Sequence, residues 1–191
     1  MNALPLVLAS SSPRRKELLE ALGLPFVADA SDADESVPAG MPPATIVETL
    51  ALRKAAAVAA RRDGALVIGA DTIVVCEGEV LGKPRDDADA RRMLAMLQGR
   101  EHDVYSGVAL VAAGASRAAH SRTRVRMKPL GAERIAAYVR TGEPRDKAGA
   151  YAIQGFGATL VSSIDGDYFT VVGLPVALLA DMLAEFGIAA F

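Results

Sequence analysis

Cysteine is almost missing from this chain: among 191 residues only Cys76 carries a thiol, which excludes an intrachain disulfide. Histidine is nearly as scarce, so no Cys/His cluster with zinc-ligand spacing exists, and Cys76 reads as a small core residue. No apolar run reaches the roughly 18 residues that a membrane-spanning helix needs. The N-terminus also lacks the basic and long apolar regions of a signal peptide, so the expected location is the cytoplasm. Neither sign of charge prevails. A net charge of −2 provides no global field toward nucleic acid or a membrane, so any anion site must be local and its partner small. There is no Walker A loop, no GxGxxG after a strand and no internal repeat. What remains is an ordinary globular composition, 51% hydrophobic and 23% charged. That suits one domain over 1–191, or two tightly joined lobes around a cleft, burying roughly 70% of the unfolded surface.

The most informative stretch is Leu6 to Gly23, LVLASSSPRRKELLEALG. Leu6 to Ala9 is apolar and of strand length, and Ser10-Ser11-Ser12 is a turn. A helix follows, with Ser12 as N-cap, Pro13 at its first position and Gly23 just past its end; Leu18, Leu19 and Leu22 supply the buried stripe. Arg14, Arg15 and Lys16 lie in the first turn, where the helix dipole is positive and each cation costs roughly 0.3–1 kcal/mol. A solvated basic patch would explain them. So would a phosphate site, in which backbone N–H groups, serine hydroxyls and two guanidiniums converge on an anion.

Asp29 to Pro43 is acidic and rich in Pro and Gly, and reads as a loop. Thr45 and Glu48 form a capping box for a helix from Ile46 to about Arg62. Lys54 falls between Leu50 and Val58 on that helix's apolar face, either snorkelling from its margin or binding a phosphate. Ala65 to Val75 is the strongest strand, apolar on both sides as in a sheet covered on both faces. Asp71 interrupts it. A carboxylate there needs a partner or a metal, so a functional site and a structural ion pair are the two readings. Glu77-Gly78-Glu79 makes a hairpin turn, and Lys83 stands at the end of the returning strand. Asp86 or Asp87 caps a helix that points Met93, Leu94 and Leu97 inward.

His102 opens a second long strand and reads as a hydrogen bonder. Arg122, Arg124, Arg126 and Lys128 alternate with Thr123, Val125 and Met127, the pattern of a charged edge or solvated strand. Gly131 to Arg140 is a helix. Thr141 to Pro175 is dense in glycine and polar residues, reads as a long functional loop, and contains Lys147, Gln154 and the Asp165-Gly166-Asp167 turn. Leu174-Pro175 opens the last helix.

Arg14, Lys54, Lys83 and Lys147 come from four separate segments, and Glu35 and Asp71 accompany them. Two carboxylates with phosphate binders are the parts of a divalent-metal site for phosphoryl chemistry. From the residues alone the reading is metal-assisted hydrolysis or binding of a polyphosphate.

The blocks LASSSPRR, ADE, LRKA, IGADT, LGKP, HDVYSGV, YVRTGEPRDKAGAYAIQGFGATLV and GDYFTVVGLP, in this order, resemble the Maf family of nucleoside triphosphate pyrophosphatases almost end to end. The resemblance implies an α/β fold with a long, strongly twisted mixed sheet flanked by helices, similar to inosine triphosphate pyrophosphatases. It also implies hydrolysis of a nucleoside triphosphate to monophosphate and pyrophosphate with a divalent metal, Mg or Mn. By the same resemblance Asp71 is the catalytic carboxylate or proton acceptor and Glu35 a metal ligand, with Asp71 expected to share the metal. Ser10, Arg14, Arg15, Lys54 and Lys83 match phosphate-contacting positions, and Arg14, Thr72 and Gln154 match those tied to substrate choice. The DKAGAYAIQG block resembles the branch acting on dTTP and UTP; a sister branch acts on 7-methyl-GTP. Ala152 and Thr170 depart from residues common in the first branch. A homodimer is compatible with this reading. The rivals are a nucleotide-binding regulator of cell division and a house-cleaner for modified nucleotides.

Overall fold

A computed structural model describes residues 4–189. It is an α/β protein with a seven-stranded mixed sheet of order β2-β1-β3-β5-β6-β7, in which β4 also pairs with β3. The strands are β1 (Leu6–Leu8), β2 (Phe26–Ala28), β3 (Leu66–Cys76), β4 (Glu79–Leu81), β5 (Glu101–Ala112), β6 (Ala115–Met127) and β7 (Val161–Asp165). The helices are α1 (Pro13–Ala21), α2 (Pro43–Ala59), α3 (Asp87–Leu97), α4 (Ala132–Arg140), α5 (Tyr168–Val172) and α6 (Val176–Glu185). Two compact units divide the chain: the first holds residues through Asp71, 106–121 and 173 onward, and the second holds 72–105 and 122–172.

In the first unit β1 runs parallel to both β2 and β3, with Leu6 opposite Phe26 and Leu66. Because side chains alternate across a strand, Leu6, Leu8, Leu66 and Ile68 fall in one core with Leu19 of α1 and Leu179 and Leu183 of α6. Val7, Ala9 and Val67 fall in the other with Ala51, Ala55 and Val58 of α2. Coverage on both faces is why β3 carries no polar/apolar alternation. The α2 side is built of small residues so that the helix can come close. A Cβ on Gly69 would collide with the Ala51 carbonyl oxygen and lie 2.8 Å from the Ala55 nitrogen, and one on Gly107 would collide with the Val47 carbonyl.

The second unit has its own core, with Met93, Leu94 and Leu97 of α3 packed among Val104, Val125, Ile135, Tyr138 and Tyr151. Glu77 and Gly78 both take positive φ, 50° and 83°, and make a two-residue hairpin turn between β3 and β4. Asp86 caps α3 by accepting from the Asp89 N–H at 2.7 Å. Cys76 is buried in this core, as expected.

Three expectations need correction. Helix α2 starts at Pro43 with Pro42 as N-cap and no side-chain cap bond, so there is no Thr45 capping box; the proline at the first helical position sets the start earlier. The basic row on β6 is a solvated face, with Arg122, Arg124 and Arg126 exposed, but it is not at a sheet edge, since β6 lies between β5 and β7. Its arginines form cross-strand ion pairs with β5, Arg122 to Asp103 at 2.8 Å and Arg126 to Glu101 at 2.5 Å. The stretch from Thr141 to Pro175 is not one long loop. It contains three 3-10 turns, strand β7 and helix α5, whose short lengths leave no periodic pattern to read.

His102 is buried, and its Nε2 lies 2.7 Å from the Tyr151 hydroxyl. Burial pulls the imidazole down to about 4, and the nearby Asp103 charge only partly offsets this.

Two outcomes are expected. Gly69→Ala should lower unfolding free energy by about 2 kcal/mol or more, because the added methyl meets backbone that cannot yield without moving α2; an unchanged urea midpoint would show that this close approach is dispensable. The second concerns acid. Unfolded histidine titrates near 6.5 and folded His102 near 4, so the stability contributed by the neutral ring is complete above about pH 6.5 and is lost as pH falls toward 4, on the order of 3 kcal/mol. His102→Gln should flatten that part of the stability–pH curve, and an unaltered slope would contradict the assignment.

Candidate active site

The first unit assembles its polar groups just past the end of β1, beside the middle of β3. After Leu8 the chain turns sharply, with Ser10 N–H donating to the Leu8 carbonyl at 2.9 Å. Ser10 is buried, and its hydroxyl oxygen accepts from Ser12 N–H at 3.1 Å and from Arg15 Nη1 at 3.4 Å. Ser12 caps α1 by accepting from Arg15 N–H, and Pro13 occupies the first helical position. Arg15 is anchored from the other side too, its Nε donating to the Gly173 carbonyl at 2.9 Å. Burial and the Arg14 charge lower the Arg15 guanidinium from its ordinary value, while the Asp71 and Glu35 carboxylates raise it. The basic first turn of α1 therefore has two acids within electrostatic reach. It is more than a solvated patch.

Lys54 settles between those acids. Its ammonium lies 2.5 Å from Asp71 Oδ1 and 2.8 Å from Glu35 Oε1, with the lysine side chain only 13% exposed. The lysine does not snorkel to solvent; it is aimed across the apolar face of α2 at the one carboxylate in β3. Asp71 is itself 8% exposed. The polar interruption of that strand is thus paired, as a buried carboxylate requires.

Glu35 is different, with 64% of its side chain exposed on the acidic loop between β2 and α2. The loop is strapped by arginines of α2 and of the turn that follows it. Arg53 Nη1 donates to the Ser36 carbonyl at 2.6 Å. Arg61 and Arg62 grip the Asp29 carboxylate at 2.8 and 2.7 Å and hold it down at about 2. The same Arg61 reaches the Ala30 carbonyl at 2.8 Å. One helix and the turn at its end therefore position Lys54 and also the loop that brings Glu35 to it.

The donor set fits a divalent cation. Two carboxylates already converge on a single positive charge, and magnesium needs only one or two protein carboxylates when substrate phosphates supply the rest. Among the described residues no cluster of three or more His, Cys, Asp or Glu exists, so no all-protein cage competes with that arrangement.

Of the residues singled out from sequence, Ser10, Arg14, Arg15, Glu35, Lys54 and Asp71 belong to this unit. Thr72, Lys83, Lys147 and Gln154 belong to the second. Lys83 is exposed after β4, and Thr72 and Gln154 are half-buried. Lys147 is occupied locally, donating to the Glu143 carbonyl at 2.8 Å and to Asp146 Oδ1 at 2.6 Å. Sequence reasoning missed Gly173, Arg53, Arg61 and Arg62. These bonds link a side chain to backbone or to a loop acid far off in sequence, and no spacing signals them.

Residues 5–186 match the family described as Maf-like protein. Curated relatives agree. A protein of Moorella thermoacetica named dTTP/UTP pyrophosphatase is 60% identical over 185 residues, covering 96% of this chain and 95% of the relative. Proteins of the same name from Symbiobacterium thermophilum and Bacillus cereus (strain AH820) are 57% and 48% identical, covering 95% and 96% of this chain and 94% and 96% of their own. Among solved structures, the Staphylococcus aureus Ham1 protein superposes with a TM-score of 0.51 at 15% identity, over 82% of this chain and 79% of its own, a likeness of fold alone. The site thus sits on an α/β fold shared with the Ham1 protein. The chain belongs to the Maf-like family.

The ion-pair geometry predicts an asymmetry in stability. Lys54→Met leaves the Asp71 carboxylate buried without its partner and should cost on the order of 3 kcal/mol. Glu35→Gln touches an exposed group and should cost less than about 1 kcal/mol. Urea unfolding of the two variants checks this, and equal losses would contradict the assigned burial.

Proposed function

We propose that the chain hydrolyses nucleoside triphosphates, dTTP and UTP foremost, to the nucleoside monophosphate and pyrophosphate. The observation that carries this reading is the Lys54 ammonium held between Asp71 and Glu35, with the arginine-bearing serine turn in electrostatic reach. The names of the curated relatives point to the same reaction and bases.

Each residue then has a role that its chemistry allows. The guanidiniums of Arg14 and Arg15 and the hydroxyls of the Ser10 to Arg15 turn hold phosphate oxygens, since arginine forks match phosphate geometry and hydroxyls donate to it. Lys54 has three N–H donors; two are directed at carboxylates, which leaves a third for a phosphate oxygen. Asp71 and Glu35 would hold a divalent cation, Mg or Mn, which when bound neutralises phosphate charge and lowers the pKa of its water. Asp71 accepts the proton of the attacking water as its oxygen bonds to the α-phosphorus, and the bond to the bridging α–β oxygen breaks. The electron pair leaves with pyrophosphate, whose charge Lys54 stabilises, and Lys83 keeps the phosphate-contacting role that the family resemblance gives it.

Thr72 and Gln154 take the role in base choice that the family resemblance gives them, and Lys147 stays a substrate-side cation. The glutamine amide offers one donor and one acceptor, the complement of the O4 and N3–H edge of uracil and thymine. Cytosine reverses that pattern, so the wrong base leaves polar groups unpaired.

Pyrophosphate release should be fastest from dTTP and UTP, ahead of CTP, ATP and GTP, and should require added Mg²⁺ or Mn²⁺. Asp71→Asn should lower turnover by roughly a hundredfold or more while the protein stays folded. A panel led by 7-methyl-GTP or ITP would overturn the base assignment. Near-normal turnover of Asp71→Asn at saturating metal would overturn the catalytic one, and nucleotide binding without any turnover would favour a regulator.

A further inference from the structure

The loop that carries Gln154 is held by two side chains of its own unit. Glu143 follows α4 in a short 3-10 turn, and its Oε2 accepts from the Tyr138 hydroxyl at 2.6 Å and from Gly157 N–H at 2.8 Å. Its Oε1 accepts from Phe156 N–H at 3.0 Å. The Tyr138 oxygen in turn accepts from Ala152 N–H at 3.1 Å. Backbone donors at 152, 156 and 157 are therefore fixed by one carboxylate–phenol pair, and they flank Ile153, Gln154 and Gly155 on both sides.

The glycines around Gln154 exist to admit this pair. Gly155 has φ of +64°, and a Cβ there would run into Glu143 Oε1. A Cβ on Gly157 would collide with the Ala152 carbonyl and lie 2.6 Å from the Tyr138 oxygen. Tyr138 is buried, and burial together with the Glu143 hydrogen bond raises its phenol above the ordinary value, so it remains a donor.

We propose that Glu143, acting with Tyr138, is the positioning residue for base choice: it fixes the backbone on either side of Gln154 and so decides how that amide is presented to the base. This rests on the reading of Gln154 as the residue that meets the base. A glutamine amide can be turned over to suit the opposite hydrogen-bond pattern, so its selectivity depends on what holds it. A purely structural clamp would affect all nucleotides alike; a positioning clamp affects the ratio between them.

The test uses the ratio of dissociation constants for CTP and dTTP, read by calorimetry in the Asp71→Asn background with no Mg²⁺ or Mn²⁺ added, so that hydrolysis is suppressed while binding is measured. Adding Glu143→Gln, which sets an amide N–H₂ against groups that are themselves donors, should reduce that ratio tenfold or more by weakening dTTP while CTP changes less than twofold. In the otherwise wild-type enzyme the same substitution should raise KM for dTTP with kcat nearly unchanged. Tyr138→Phe removes one hydroxyl and should shift the ratio in the same direction by about threefold; it decides the matter if Glu143→Gln does not fold. An unchanged ratio in folded variants, or equal weakening of both nucleotides, overturns the proposal. A wild type that releases no pyrophosphate overturns the hydrolase reading, and the clamp is still judged by the binding ratio. If another base binds tightest, the base assignment falls and the ratio of best to worst nucleotide judges the clamp.

Discussion

An ammonium between two carboxylates, one buried and one exposed, is the interaction on which the site in the first unit depends. Asp71 interrupts an apolar central strand, and a charge in that position persists only if something answers it. Lys54 does so at 2.5 Å, from a helix whose other inward residues are aliphatic. Glu35 then adds a second negative charge from the solvent side at 2.8 Å. Buried ion pairs of this kind contribute little net stability, because desolvation consumes most of the attraction. Their retention in a core otherwise made of Leu, Val and Ala is more economically explained by chemistry than by folding.

The geometry follows from close packing. Helix α2 can bring Lys54 to Asp71 because Gly69 and Gly107 leave no Cβ between the helix backbone and the sheet. Arg53 of the same helix, with Arg61 and Arg62 in the turn just after it, ties down the loop that carries Glu35. A single rigid element thus sets two of the three charges, and the sheet sets the third. Preorganisation of this sort allows fixed charges to act on a phosphate without rearranging when it reacts.

Much of this could be read from the chain because the relevant signals are local. Ser12-Pro13 marks a helix start, Asp86 a cap and Glu77-Gly78 a hairpin, and each is a property of a few neighbouring residues. Asp71 and Lys54 stood out by being charged where periodicity called for an aliphatic residue, and the structure joins them. Other features were hidden for physical reasons. The neighbour of β6 is decided by long-range pairing, so an alternating basic pattern fits an interior strand with acid partners as well as an edge. The start of α2 was set by Pro43 rather than by the stronger-looking Thr45 and Glu48 pair. The Glu143 clamp joins residues 138, 143, 152, 156 and 157 across turns that have no period, and only the fold reveals it.

In the proposed reaction the Lys54, Asp71 and Glu35 cluster directs water at the α-phosphorus. Attack at the α- or the β-phosphorus releases the same two products, so product identity alone does not test it. Hydrolysis of dTTP in ¹⁸O-water, with the label located by mass spectrometry, does. Attack at the α-phosphorus leaves one ¹⁸O in the thymidine monophosphate and none in the pyrophosphate, and label in the pyrophosphate would rule it out.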